Sequence, residues 1–188
     1  MNVLILDNYD SFTYNLFHYF KGFVSRVSVF RNDEISIAEI EKYSHIVISP
    51  GPGLPKDAGV LMDALSQYSE SKKILGVCLG MQAIAEHFGG ELYNQEIVKH
   101  GLQEEIEITE NRNGLFKGIA NTTHVGLYHS WAVNPNNLPS CFNITAKGKT
   151  GVTMAIEHKT LPISGVQFHP ESIMTTEGKT MIKNWLEA

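Results

Sequence analysis

Short, unbroken apolar runs recur through the first half of the chain, each closed by a polar or glycine-rich turn and followed by a segment with helical spacing. Val3-Leu4-Ile5-Leu6 is the first. Such a run, without polar alternation, marks a strand buried on both faces. Asp7-Asn8-Tyr9-Asp10-Ser11 ends it with residues expected to cap a helix, and Tyr14, Leu16, Phe17, Tyr19 and Phe20 follow at helical spacing. Val27 and Val29 mark a second strand, 35–43 a short helix, and His45-Ile46-Val47-Ile48-Ser49 a third strand. After Pro50-Gly51-Pro52-Gly53-Leu54-Pro55 the pattern predicts a helix from Ala58 to Tyr68. Ile74 to Val77 reads as the fourth strand, and Gln82 to Phe88 lie in the helix behind it. Alternation of strand and helix at this spacing predicts a parallel sheet covered on both faces, with right-handed crossovers.

Past Gly89-Gly90 the texture changes. Glu104-Glu105-Ile106-Glu107-Ile108-Thr109 alternates with period two, as a half-exposed antiparallel strand does. Further strands are predicted at Thr122 to Val125, Cys141 to Ala146 and Thr153 to Glu157, with Tyr128-His129-Ser130-Trp131 as a connection. Ile163 to Phe168 returns to a buried strand, and Gly178 to Leu186 is a closing amphipathic helix. The expected fold class is α/β: one three-layer domain over residues 1–188, with a central, mostly parallel sheet flanked by helices and an antiparallel extension.

Composition narrows the function classes. The formal net charge of −5, without a basic cluster, disfavours nucleic-acid binding. Two cysteines, Cys78 and Cys141, are too few for a disulfide scaffold and favour a reducing compartment. The apolar start is cut short by Asp7 and lacks the features of a signal peptide, and no apolar run approaches the roughly 18 residues of a membrane span. The expectation is a soluble, cytoplasmic protein.

The chemistry concentrates at strand ends. Ile74-Leu75-Gly76-Val77-Cys78-Leu79-Gly80-Met81-Gln82 reads as strand, tight turn and helix, with Cys78 at the tip. A strained strand-to-helix turn presents a side chain and leaves backbone N–H groups free at the helix start, where they favour a thiolate and an oxyanion. A buried structural cysteine is the competing interpretation. His169-Pro170-Glu171 places an imidazole and a carboxylate on a stiff turn, since proline fixes its own φ and holds the preceding residue extended. A glutamate on one imidazole nitrogen fixes the tautomer and leaves the other nitrogen for a nucleophile; a plain surface turn is the alternative. In the Pro50–Gly53 loop, the Gly53 N–H is unobstructed and, with the Leu79 N–H, can form an oxyanion hole, although the motif taken alone reads first as an ordinary loop between strand and helix. His129 is a competing base without an acidic neighbour in sequence. Glu86 and His87 read as surface residues. Ligands of open α/β sheets bind outside the carboxyl ends of the strands, so these strand ends converge if all three strands share one sheet.

Four motifs in order carry a family resemblance. Pro50-Gly51-Pro52-Gly53, Gly76-Val77-Cys78-Leu79-Gly80-Met81-Gln82 and Gln167-Phe168-His169-Pro170-Glu171-Ser172 resemble the class I, triad-type glutamine amidotransferases, whose fold is flavodoxin-like. Asp7-Asn8-Tyr9-Asp10-Ser11-Phe12-Thr13 is similar to the start of the glutaminase subunits of anthranilate synthase and of 4-amino-4-deoxychorismate (para-aminobenzoate) synthase. The resemblance spans essentially the whole chain.

That resemblance implies Cys78 as nucleophile, His169 as general acid/base and Glu171 as its orienter, with the backbone of Gly53 and Leu79 holding the oxyanion. It places Gly51, Pro52, Gly53, Gln82, Ser130 and Trp131 around L-glutamine. It implies that this subunit holds no cofactor or metal. It also implies a Mg2+-dependent, chorismate-binding partner (component I), with ammonia passed from one to the other. The length and Arg31-Asn32-Asp33 lean toward the para-aminobenzoate branch; some members serve both branches. The chain departs from the family at Trp131, where a smaller aliphatic residue is usual, and at Leu127 and Leu102, which replace arginine and lysine. Two alternatives stand beside the glutaminase reading: a non-catalytic regulatory or binding subunit of the same fold, and a stand-alone γ-glutamyl thiol hydrolase.

Overall fold

The first strand, β1 (Val3–Asp7), is buried along its whole length and pairs in parallel on both sides, with β2 (Val27–Arg31) and β3 (His45–Ile48). The computed structural model describes residues 1–109 and 114–188. Between β1 and β2 runs α1 (Thr13–Lys21); α2 (Ile37–Ile40) precedes β3, and α3 (Leu61–Tyr68) leads to β4 (Lys73–Val77). The helix α4 (Leu79–His87) starts directly after Cys78. Two long strands follow, β5 (Leu92–Ile108) and β6 (Thr122–Val133), then β7 (Phe142–Gly148), β8 (Thr153–His158), β9 (Ile163–Val166) and the closing helix α5 (Gly178–Glu187).

Among the described residues the strands form one nine-stranded sheet in the order β2-β1-β3-β4-β9-β8-β7-β5-β6. The pairs from β2 to β9 are parallel and those from β9 to β6 antiparallel. Alternate residues of the parallel strands feed two cores. Val3, Ile5, Val47, Leu75 and Val77 pack with Leu16, Phe20, Ile182 and Trp185 of α1 and α5. Leu4, Leu6, Ile46, Ile48 and Ile74 pack with Ile40, Leu61, Leu65 and Ile84 of α2 to α4. This is the period-two division of a strand buried on both faces. Among the described residues no helix is long and apolar enough to cross a membrane.

Several predicted boundaries move. The helix expected over 35–43 is the four residues of α2, started by a capping box between Ser36 and Glu39. The helix expected from Ala58 begins at Leu61, because Pro55–Asp57 form a 3-10 turn first. The main correction lies in the second half. Tyr128 to Trp131 is not a connection: it lies within β6, paired with β5, a strand of 17 residues of which only the end was anticipated. Register shifts between Asn94 and Lys99 and between His100 and Leu102 break the alternation that would have revealed the strand.

Candidate active site

The strands β3, β4 and β9 are neighbours in the sheet, so the loops after them leave from one edge. Cys78 follows β4 at φ 52° and ψ −103°, in a region that a side-chain-bearing residue occupies only under strain. Its N–H is tied to the Val166 carbonyl at 2.7 Å. The close approach of α4 to the sheet makes the turn possible: a Cβ on Gly76 would lie 2.4 Å from Gly80 C, and one on Gly80 would lie 2.5 Å from the Ile48 carbonyl oxygen. Gly53, in the loop after β3, has φ 75°. Among the described residues neither the Gly53 nor the Leu79 N–H donates to another protein group, as the start of a helix permits.

His169 lies three residues past β9. Its N–H donates to the Gly126 carbonyl of β6 at 3.0 Å, and its own carbonyl accepts from Thr175 Oγ1 at 2.5 Å. The rings of Tyr128 and Phe12 stand edge-on to the imidazole, with centroids 4.8 and 5.9 Å away. Nδ1 meets Glu171 Oε1 at 2.7 Å, and both side chains are almost wholly buried. Burial alone would lower the imidazole pKa, but the neighbouring Cys78 sulfur and the hydrogen bond and charge of Glu171 outweigh it and raise it to about 10. With Nδ1–H held by a carboxylate, Nε2 is the nitrogen left free, and it is buried without a hydrogen-bond partner among the described residues.

A cavity of about 220 Å3 opens on Cys78, lined also by Gly51, Pro52, Gly53, Gln82, Tyr128, His129, Ser130 and Trp131. The Pro50–Gly53 loop and α4 thus form one wall, and the segment of β6 expected as a connection forms the other. His129, the competing base, is buried beside the same cavity, and among the described residues no carboxylate hydrogen-bonds to it. Its Nδ1–H donates to the Trp131 carbonyl at 3.0 Å. Burial drives its pKa down to about 4; Lys99 and His169 add to this, while the Trp131 carbonyl and Glu104 oppose it. The ring is therefore neutral near pH 7.

Asp10, expected only to cap α1, has another place, and no side chain caps that helix: its N-cap position is Phe12. Asp10 Oδ1 accepts from the Phe12 N–H at 2.8 Å in the turn before the helix, and Asp7 Oδ1 accepts from the Thr13 hydroxyl at 2.7 Å. Asp10 also stands beside the imidazole–glutamate couple: the three residues offer ligand atoms within 4.8 Å of one another. Burial raises its carboxyl pKa, against the Phe12 N–H and the charge of His169, which lower it. The 2.7 Å from Nδ1 to Oε1 is a hydrogen-bond separation. Two donors on a tetrahedral zinc, each about 2.0–2.1 Å from the metal, sit farther apart. Glu86 and His87 lie on α4 away from the cavity lining.

Phe12, Tyr128 and Gln167 touch the centre without having been singled out in the sequence. The signal for Phe12 and Tyr128 was their position inside motifs; their contacts depend on β6 bridging to His169, which no local pattern encodes. Leu102 and Leu127 prove to be register partners across β5 and β6. The two departures from the family pattern therefore face each other, with Leu127 in the core and Leu102 half exposed.

The family model for class I glutamine amidotransferases matches residues 4–188. The chain belongs to the class I glutamine amidotransferases. Within that family it is 47% identical over 187 residues to the aminodeoxychorismate/anthranilate synthase component 2 of Bacillus subtilis, covering 98% of this chain and 95% of that one. It is 45% identical to the aminodeoxychorismate synthase component 2 of Escherichia coli, over 98% of both chains. A further amidotransferase relative is the anthranilate synthase component 2 of Pseudomonas aeruginosa, at 43% identity over 98% of this chain and 94% of that one. Among solved structures, a candidate GMP synthase subunit from Thermoplasma acidophilum superposes with a TM-score of 0.89 at 25% identity, over 100% of this chain and 92% of that one.

Proposed function

We propose that this amidotransferase hydrolyses L-glutamine to glutamate and ammonia through a thioester on Cys78, and passes the ammonia to a chorismate-binding synthase subunit. The observation that carries the chemistry is the meeting of Cys78, His169 and Glu171, from the ends of β4 and β9, beside a small cavity with unpaired N–H groups at its edge. The sulfur attacks the side-chain amide carbon of glutamine, and the new oxyanion sits against the Gly53 and Leu79 N–H groups. His169, holding a proton at Nε2, delivers it to the departing nitrogen. Water, deprotonated by the same nitrogen, then releases glutamate and regenerates the thiol. Splitting amide hydrolysis in this way exchanges one hard step for two easier ones. Glu171 keeps Nδ1 protonated throughout.

Gly51, Pro52, Gln82, Ser130 and Trp131 hold the rest of glutamine in this scheme. Trp131 lines the same cavity, and its side chain is larger than the aliphatic residue usual in the family, which makes it a specificity element. The partner supplies the acceptor for ammonia and, by family resemblance, any Mg2+. Component 2 relatives serving aminodeoxychorismate synthesis, anthranilate synthesis or both stand at similar identity. Both products therefore belong to the proposal, with chorismate as the common substrate of the partner.

The test is labelling by a glutamine analogue with an electrophilic carbon, followed by mass mapping, alongside Cys78→Ser in the reconstituted complex. Labelling at Cys78, and loss of glutamine-dependent but not ammonia-dependent synthesis in the variant, are expected. Absence of labelling with the partner present would replace the glutaminase by a non-catalytic subunit. Full turnover of γ-glutamyl compounds without any partner would favour a stand-alone hydrolase.

A further inference from the structure

Behind the cavity, a run of hydrogen bonds starts at a backbone carbonyl and ends on the reacting sulfur. The Trp131 carbonyl can only accept. Gln82 Nε2 donates to it at 2.9 Å, which fixes the orientation of the Gln82 amide. The second hydrogen of the same nitrogen goes to Gln167 Oε1 at 3.2 Å. The Gln167 amide is thereby turned so that its Nε2 faces Cys78 Sγ at 3.5 Å. Gln167 is fully buried and Gln82 nearly so. The main chain prepares this meeting: β4 and β9 pair Val77 with Val166, so the next residues, Cys78 and Gln167, leave the sheet side by side.

The geometry points to Gln167 as a further catalytic residue of the glutaminase reaction, donating its amide N–H to the Cys78 sulfur in its thiolate form, with Gln82 as the positioning residue that holds that amide in the donating orientation. It rests on Cys78 being the glutaminase nucleophile. A hydrogen bond to the charged form of a group favours that form, and charge-assisted bonds are the stronger ones. An amide free to rotate would present its oxygen to the sulfur as readily as its nitrogen. The Trp131 carbonyl, acting through Gln82, removes that freedom. Both Nε2 hydrogens of Gln82 are committed, so its Oε1 is the group it offers to the cavity it lines. An N–H donor of the substrate, from the α-ammonium or the side-chain amide, is its complement. Substrate capture and orientation of the sulfur's donor therefore run through one side chain.

The experiment measures the rate of Cys78 alkylation by iodoacetamide from roughly pH 5 to 10, since alkylation reads the thiolate whether or not glutamine is the substrate. The wild type, Gln167→Leu, Gln167→Glu and Gln82→Leu are compared, with mass mapping to Cys78 and thermal melting as the check of folding. In Gln167→Leu the pH of half-maximal alkylation rises by about one unit. It rises further in Gln167→Glu, whose carboxylate repels the thiolate, and less in Gln82→Leu. A folded Gln167→Leu chain with the wild-type profile overturns the proposal. If that variant does not fold, wild-type profiles in both Gln167→Glu and Gln82→Leu overturn it. Failure of the glutaminase assignment is seen separately, as wild-type protein that iodoacetamide alkylates at Cys78 but the electrophilic glutamine analogue does not label.

Discussion

The parallel and antiparallel halves of the sheet contribute different things to one cavity. In the parallel half, short strands buried on both faces end together and carry Cys78, the Gly53 loop and, after β9, His169. In the antiparallel half, β5 and β6 are long, irregular in register and partly exposed, with Ile97, Val98 and Leu102 open to solvent. That half contributes a wall, Tyr128 to Trp131, and one brace, the Gly126 carbonyl under His169. In the proposed scheme the reacting groups thus sit where two cores clamp the backbone, and residues of both halves line the cavity.

The largest break of this comparison is Glu171→Gln, which keeps the shape of the couple and removes its charge. The His169 pKa is raised in the folded chain. Its contribution to stability is therefore complete below the unfolded value near 6.5 and is lost as pH rises through about 10. Without the carboxylate, only Cys78 opposes burial, so Nε2 loses its proton at lower pH and the wrong tautomer becomes accessible. Turnover should fall by about 10²-fold or more, with the alkaline limb of the pH–rate profile moved toward neutrality. An unchanged alkaline limb would remove Glu171 from its orienting role.

A smaller effect separates the halves by packing. Gly80→Ala drives a Cβ to within 2.5 Å of the Ile48 carbonyl oxygen, and overpacking of this kind costs about 1–3 kcal/mol. It should lower the urea midpoint and disturb the turn that presents Cys78. Gly151→Ala, in the turn between β7 and β8, meets nothing within 4 Å but keeps φ at 80°. Its expected cost is about 1 kcal/mol with turnover unchanged. Equal loss of activity in the two variants would erase the distinction between a clamped and a permissive half.

The smallest expected effect tests the wall itself. Trp131→Leu shrinks the side chain of a cavity-lining residue and leaves the carbonyl that orients Gln82 and His129. KM for glutamine should change by several-fold, about 1 kcal/mol of uniform binding, with kcat held. A fall in kcat with KM unchanged would place Trp131 with the reacting groups instead.

Much of the parallel half was legible because a strand buried on both faces writes itself as an apolar run, and because cysteine, histidine and glycine stand out at its ends. β5 was not, since bulges interrupt its period and its residues 92–103 are mixed in polarity. Tyr128 to Trp131 looks like a connection for the same reason: its strand partner cannot be identified from local pattern. Asp10 reads as a cap, yet the N-cap position falls at Phe12 and Asp10 only braces the turn before it; its place beside His169 and Glu171 needs the return of the chain after β9.

By itself, the sequence determined the alternation of strand and helix, the sharp turn at Cys78 permitted by Gly76 and Gly80, the stiff His169-Pro170-Glu171 segment and the family to which they belong. Those are local features, set by side-chain size, period and backbone freedom within a few residues. The tertiary structure decided which strand ends are neighbours, that β6 closes the cavity, that His129 is buried and neutral, and that Gln167 faces the sulfur. These depend on strand order and register between segments distant in sequence, up to 89 residues apart for Gln167 and Cys78. Pairing at that separation is chosen by the burial of whole sheet faces, which no short stretch of the chain contains.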